Sequence, residues 1–198
     1  MKYLNQLDYP HMLYVTGIEL EGERKERGKT TTVKTSGCGL CSAVMIADRL
    51  IPNCAFSLTD AIELSYEAKA NCGLGTRYPR FAPLFAERLG LKLETSTDIE
   101  DVRRCLQTGG AAAILVDGDH EGYTGVFSHG PHYIAAIGVE PDGRFAILDP
   151  SYKPGKYDEE GRQGKVERKY DVVALCHAEV LAEDAIGNLI PYFLFWRK

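Results

Sequence analysis

Along the chain the apolar positions follow two rhythms, and the change from one to the other organises the molecule. From Gly39 onward Leu40, Ala43, Val44, Ile46, Ala47 and Leu50 recur three or four residues apart, the mark of a helix with one buried face, and Pro52 closes it. The spacing predicts a second helix over Leu58 to Ala70, capped by Ser57 or Thr59, with Ala61, Ile62, Leu64 and Ala68 turned inward. A third runs from Pro79 to Arg88 with Gly90 as its stop. A fourth opens at the capping-box spelling Thr97-Asp98-Ile99-Glu100 and ends before Gly109-Gly110. Beyond that point the period becomes two. Ala111 to Val116 reads as a buried strand, and His132 to Val139 as a second. Arg144 to Leu148 is a third, folded back as a hairpin over the turn Pro141-Asp142-Gly143. Ile190 to Trp196 gives a closing strand. The first thirty or so residues read as an extended arm and then an exposed loop, Glu21 to Thr32, whose mixed charges mark a solvated face. The segment 150–170, rich in Pro, Gly and charge, reads as a mobile loop. Helices first and an antiparallel sheet second is the α+β arrangement, here as one domain over residues 1–198.

Composition narrows the function classes without choosing among them. The 198 residues are 44% hydrophobic and 26% charged, the balance of an ordinary globular chain. A chain of this length buries roughly 70% of its unfolded surface and needs no metal or disulfide staple. Its 23 basic against 28 acidic residues give a net charge of −5, which removes the bulk electrostatic case for nucleic acid or an anionic membrane as partner. No apolar run approaches a bilayer span, and the N-terminus lacks the basic start, apolar stretch and cleavage site of a secretory signal. The expectation is a cytoplasmic protein, or one whose leader has been removed. Six cysteines, four of them inside apolar or helix-like runs, are read as reduced and mostly buried thiols.

One of those cysteines stands apart. Cys38 lies between Gly37 and Gly39 at the entrance of the first amphipathic helix, where the helix dipole favours a thiolate. Flanking glycines would leave the sulfur open and let backbone N–H groups face an oxyanion. The segment alone is equally compatible with a buried structural cysteine. A thiolate nucleophile needs a base, and the base an orienter. Among His11, His120, His129, His132 and His177, only His132 opens a strand behind Gly130-Pro131. The hairpin partner of that strand ends in Asp149-Pro150. If the turn closes as read, His132 and Asp149 meet at the hairpin's open end. Asp149 then holds one imidazole nitrogen while the other faces Cys38. Cys41, one turn further into the helix, is read as core packing.

These segments, Ser36-Gly37-Cys38-Gly39, Gly130-Pro131-His132-Tyr133-Ile134 and Ala146-Ile147-Leu148-Asp149-Pro150, resemble the papain-like bacteriocin-processing peptidases, cysteine peptidase family thirty-nine, in its stand-alone peptidase-like branch. The resemblance runs in order from about residue 3 to 150 and implies a papain-like fold. It implies a peptide or protein substrate and no cofactor, with Cys38 as nucleophile, His132 as general base and acid, and Asp149 as orienter. The family's oxyanion-hole glutamine falls on Gln6, in an arm Tyr3-Leu4-Asn5-Gln6-Leu7-Asp8-Tyr9 that is similar to the branch's own. Transporter-fused members cut after a double glycine in leader peptides, a substrate that does not carry over automatically.

Three other readings compete. Asp117, Asp119, His120, His129 and His132 crowd together and offer mixed metal ligands, without the spacing that would make the signal strong. A binding module with a papain-like cleft and no turnover would use the same fold. An acyl or amide transferase would use the same Cys–His pair. Residues 73–78 and 119–128 are aromatic-bearing loops able to line a cleft, although loops of that composition are more often plain connectors.

Overall fold

The computed structural model describes residues 1–17 and 29–198; the charged loop read at Glu21–Arg27 lies outside the described residues. The arm is not loose. A 3-10 turn at Gln6–Asp8, capped by the Asn5 side chain, leads to strand β1 (Leu13–Thr16), which pairs antiparallel with β2 (Lys29–Thr32). The threonines ending the expected loop are therefore a strand. A one-turn helix α1 (Val33–Ser36) follows, and then α2 (Cys38–Leu50) as expected. Helix α3 (Leu58–Glu67) starts on a Ser57–Asp60 capping box. It stops short of Ala70 because Lys69 turns left-handed at φ 50° and the Ala70 N–H returns to the Ser65 carbonyl. Helix α4 (Tyr78–Leu89) ends at left-handed Gly90. Helix α5 (Ile99–Gln107) is capped by Asp98 rather than Thr97, whose place in the expected box is not used.

Seven strands make one antiparallel sheet. Strands β3 (Leu91–Ser96), β4 (Ala111–Val116), β5 (His132–Val139), β6 (Phe145–Leu148), β7 (Val166–Lys169), β8 (Val173–Cys176) and β9 (Tyr192–Arg197) lie in the order β3-β9-β4-β5-β6-β8-β7. The apolar-run signal predicts the four central strands. It misses β3 and β7, which hold the edges, and β8, which packs beside β6. It gives no sign of a short helix, α6 (Ala178–Asp184). The hairpin β5–β6 pairs Ala135 with Leu148 and Ala136 with Ile147, with a bulge between Ala136 and Gly138.

Both faces of the sheet are covered. Ala111, Ala113, Tyr133, Ala135, Phe193 and Phe195 pack with α2, α3 and α4 on one side, while Ala112, Ile114, Ile134, Ala136, Tyr192 and Leu194 pack with α5 and α6 on the other. This explains why the central strands read as continuous apolar runs rather than alternating ones. The architecture is mixed α+β, N-terminal helices against a large antiparallel sheet. Among the described residues no helix is long and apolar enough to cross a membrane.

Candidate active site

Cys38 is the first residue of α2, half-buried, and the chain before it is forced into its path. Gly37 closes α1 with its N–H on the Val33 carbonyl; a Cβ there would stand 2.6 Å from that oxygen, so no other residue fits. A Cβ on Gly39 would stand 3.0 Å from the Tyr78 ring. The Tyr78 hydroxyl donates to the Gly39 carbonyl at 2.7 Å, and its ring stacks on Tyr133 at 4.2 Å. The Ser42 hydroxyl, one turn on, donates to the Tyr133 carbonyl at 3.2 Å. The two glycines thus serve close packing, which clamps the helix entrance to the start of β5.

That clamp sets Cys38 beside His132. Nε2 of His132 lies 2.9 Å from Asp149 Oδ1 and 3.1 Å from the Ser151 hydroxyl, which leaves Nδ1 as the nitrogen for the side-chain hydrogen bond with Cys38. Burial alone would push the Cys38 thiol up. The hydrogen bond and charge of His132, with backbone hydrogen bonds at Tyr133 and Gly39, outweigh it and hold the thiol below its ordinary value. Burial likewise disfavours imidazolium, yet Asp149 first and Cys38 second bring His132 up to about 9. Both directions favour thiolate beside imidazolium near neutral pH.

Asp149 is 1% exposed and fully engaged. Besides His132 it accepts from the Ser151 N–H at 2.9 Å, from the Lys156 ammonium at 2.6 Å and from the Tyr157 hydroxyl at 2.7 Å. Burial would raise its pKa; the His132 hydrogen bond and the Lys156 charge overcome that and keep the carboxyl well below the usual range. No motif in the sequence marks Ser151, Lys156 or Tyr157. They sit in the stretch whose composition predicts a mobile loop, which is instead anchored by buried Lys156, Tyr157 and Arg162.

Gln6 is buried under this cluster. Its backbone N–H donates to the Pro150 carbonyl and its side-chain Nε2 to the Lys34 carbonyl at 2.8 Å, so the arm bridges the end of β6 and the helix entrance. The Tyr3 hydroxyl adds a 2.7 Å bond to the Asp149 carbonyl. Gln6 Oε1 is buried with no hydrogen-bond partner among the described residues.

A cavity of about 340 Å³ opens onto Cys38, walled by Cys72–Arg77 on one side and by Leu115, Pro131 and Tyr133 on the other. The 73–77 loop therefore lines the cleft. The other expected loop does not line this cavity: the stretch after Asp119 is gathered around buried Asp184, which accepts from the Val126 and Phe127 N–H groups and the Tyr123 hydroxyl. The five residues read as mixed metal ligands do not converge on one point. His132 turns to Asp149, His129 to Asp119 and Glu159, and His120 to Glu183. Among the described residues no three such side chains gather into a cation site. All six cysteines are free, and Cys41 is buried with its thiol pushed up by burial.

Helices bearing Cys38 thus pack on an antiparallel sheet bearing His132. The chain is similar in structure to a C39-like peptidase from Bacillus anthracis, at a TM-score of 0.50 and 14% identity, over 82% of this chain and 89% of that one. At that identity the likeness is one of fold. No family model and no curated protein matches the sequence.

Proposed function

We propose that the protein is a cysteine peptidase that hydrolyses a peptide bond with Cys38 as nucleophile, His132 as acid and base, and Asp149 as the group that orients and charges His132. The observation that carries this reading is one line of groups: a half-buried thiol on a cavity, its pKa lowered by an imidazole whose Nε2 rests 2.9 Å from a buried carboxylate. The thiolate attacks the scissile carbonyl carbon and forms the C–S bond as the carbonyl electrons move to oxygen. Cys38's own N–H, in the first turn of α2, has no acceptor within the helix and is available to that oxyanion. Gln6 is assigned the second donor, through the amide proton that its bond to Lys34 does not use. Imidazolium gives its proton to the leaving amine, and His132 then takes one from water, whose oxygen displaces sulfur from the thioester.

Alkylation of Cys38 by iodoacetamide against pH, mapped residue by residue, tests the pair. Fast reaction well below the ordinary thiol pKa of about 8.5, lost in His132→Ala, is the expected result. Cleavage of a peptide library, abolished in Cys38→Ala, completes it. A Cys38 that titrates as a free thiol would overturn the reading in favour of a binding module. Acyl transfer to an added amine in preference to water would make the enzyme a transferase.

A further inference from the structure

Next to the Lys156 and Ser151 partners of Asp149 lies a second cavity, of about 310 Å³. Among the described residues its wall carries Lys153, Lys156 and Arg162, with His129, against one carboxylate, Glu159, and the hydroxyls of Ser128 and Ser151 lie beside them. Two of the cations are deeply buried, Lys156 at 4% and Arg162 at 2% exposure. Neither is fully used. Arg162 donates from Nε to the Gly125 carbonyl and from Nη1 to the Lys156 carbonyl at 3.3 Å and to Glu159 at 2.7 Å, while its Nη2 has no partner among the described residues. Lys156 gives two of its three protons to Asp149 and Ser151. A buried guanidinium with an unused donor is costly, so some acceptor belongs there.

Glu159 shows what that acceptor is like. It is partly exposed at the rim and is shared by Arg162, by Lys153 at 3.5 Å and by His129 at 3.4 Å, a stand-in anion held by three groups. We propose that this cavity binds a carboxylate, which displaces Glu159 toward solvent and takes the Arg162 fork together with Lys153. Each cation already shares one carboxylate of the protein, so the spare capacity suits a monoanion better than a phosphate. A planar carboxylate also matches two parallel guanidinium N–H groups. Carboxylate binding there is independent of whether Cys38 turns over a peptide, because no residue lines both cavities.

Calorimetric titration with N-acetylglycine and with its neutral isostere N-acetylglycinamide, at constant ionic strength in chloride, tests it. The acid is expected to bind saturably at one site and the amide not at all. Glu159→Gln removes the competing anion and should tighten the acid. Arg162→Gln should weaken it about tenfold or more, the worth of a charged hydrogen bond. Lys153 has an exposed side chain whose contact is Glu159, so Lys153→Met should weaken binding without disturbing the fold even if Arg162→Gln does. Acid and amide binding alike, no saturation, or an affinity indifferent to Glu159→Gln and Lys153→Met would each overturn the assignment.

Discussion

Asp149 and Asp184 are both almost wholly buried carboxylates, at 1% and 0% exposure, yet they are driven in opposite directions. Asp149 has charged neighbours, imidazole and ammonium, and is held below its ordinary range. Asp184 has uncharged donors, two backbone N–H groups and a tyrosine hydroxyl; burial wins and its pKa rises. A carboxylate whose hydrogen-bond donors are all uncharged becomes a clamp on a loop, the Lys165 charge being the least of the influences on Asp184. Hydrogen bonds plus a titratable cation make it an instrument that sets another group's charge. Depth in the core does not separate the two; the partner does.

The largest expected effect comes from removing the charge at Asp149. Asp149→Asn should lower turnover by about 10³–10⁴-fold, since a neutral amide no longer holds imidazolium in place. The same change leaves the Lys156 ammonium buried without its counter-ion and should cost about 3–5 kcal/mol in urea unfolding. Retained alkylation of Cys38 at pH 6 in this variant would erase the distinction between the two acids.

Asp184→Asn should cost less, about 1–3 kcal/mol, as the amide satisfies only some of the donors around it. It should leave the Cys38 alkylation profile unchanged, and a shift in that profile would show the two acids to be coupled. The acid limb adds to the contrast. Asp149's contribution is present above its unfolded pKa of about 3.9 and is lost as pH falls through its lower folded value. Asp184 binds its proton more readily when folded, so its penalty is relieved as pH falls. Acid unfolding should therefore come at higher pH in Asp184→Asn relative to its own neutral stability, and the deficit of Asp149→Asn should shrink.

The smallest effect is a slope. With thiolate and imidazolium folded, and thiol and neutral imidazole unfolded, each state holds one proton on the pair, so the pair adds no pH dependence between about 6.5 and about 8.5. In Cys38→Ala the folded state keeps the His132 proton, still supported by Asp149, while the unfolded state loses it. Stability should then fall as pH rises above about 6.5, by up to about 1.4 kcal/mol per pH unit, until the folded imidazolium titrates below its wild-type value, because the Cys38 contribution is gone. A flat profile in that variant would mean that His132 is neutral without the thiolate.

Much of this architecture is legible in the amino-acid pattern. The 3.6-residue period places α2, α3, α4 and α5 because each buries a single stripe, and the apolar runs place the four central strands. The hairpin turn at Pro141-Asp142-Gly143 puts His132 near Asp149, since a two-stranded register leaves little freedom. What escapes the pattern is polar and buried. Edge strand β7 carries too many charges to show a period, the Leu91-Lys92-Leu93-Glu94 alternation of β3 is short and lies unmarked between two helices, and α6 is too short. Lys156, Tyr157 and Arg162 look like loop residues because composition reads a lysine as solvated. Arm residue Gln6 is reached through a resemblance, and the bonds that bury it run to Pro150 and Lys34, far apart in the chain.

Periodicity and turns act over a few residues, and they suffice for the α+β class, for the helix that carries Cys38 and for the hairpin whose open end carries His132 and Asp149. Only the folded path of the 150–170 segment makes Lys156 and Tyr157 load Asp149, and long-range packing keeps Asp184 a clamp and opens a second cavity beside the buried Lys156 and Arg162. Those outcomes depend on which buried charges meet, and a charge removed from water is settled by its partner across the fold rather than by its neighbours in the chain.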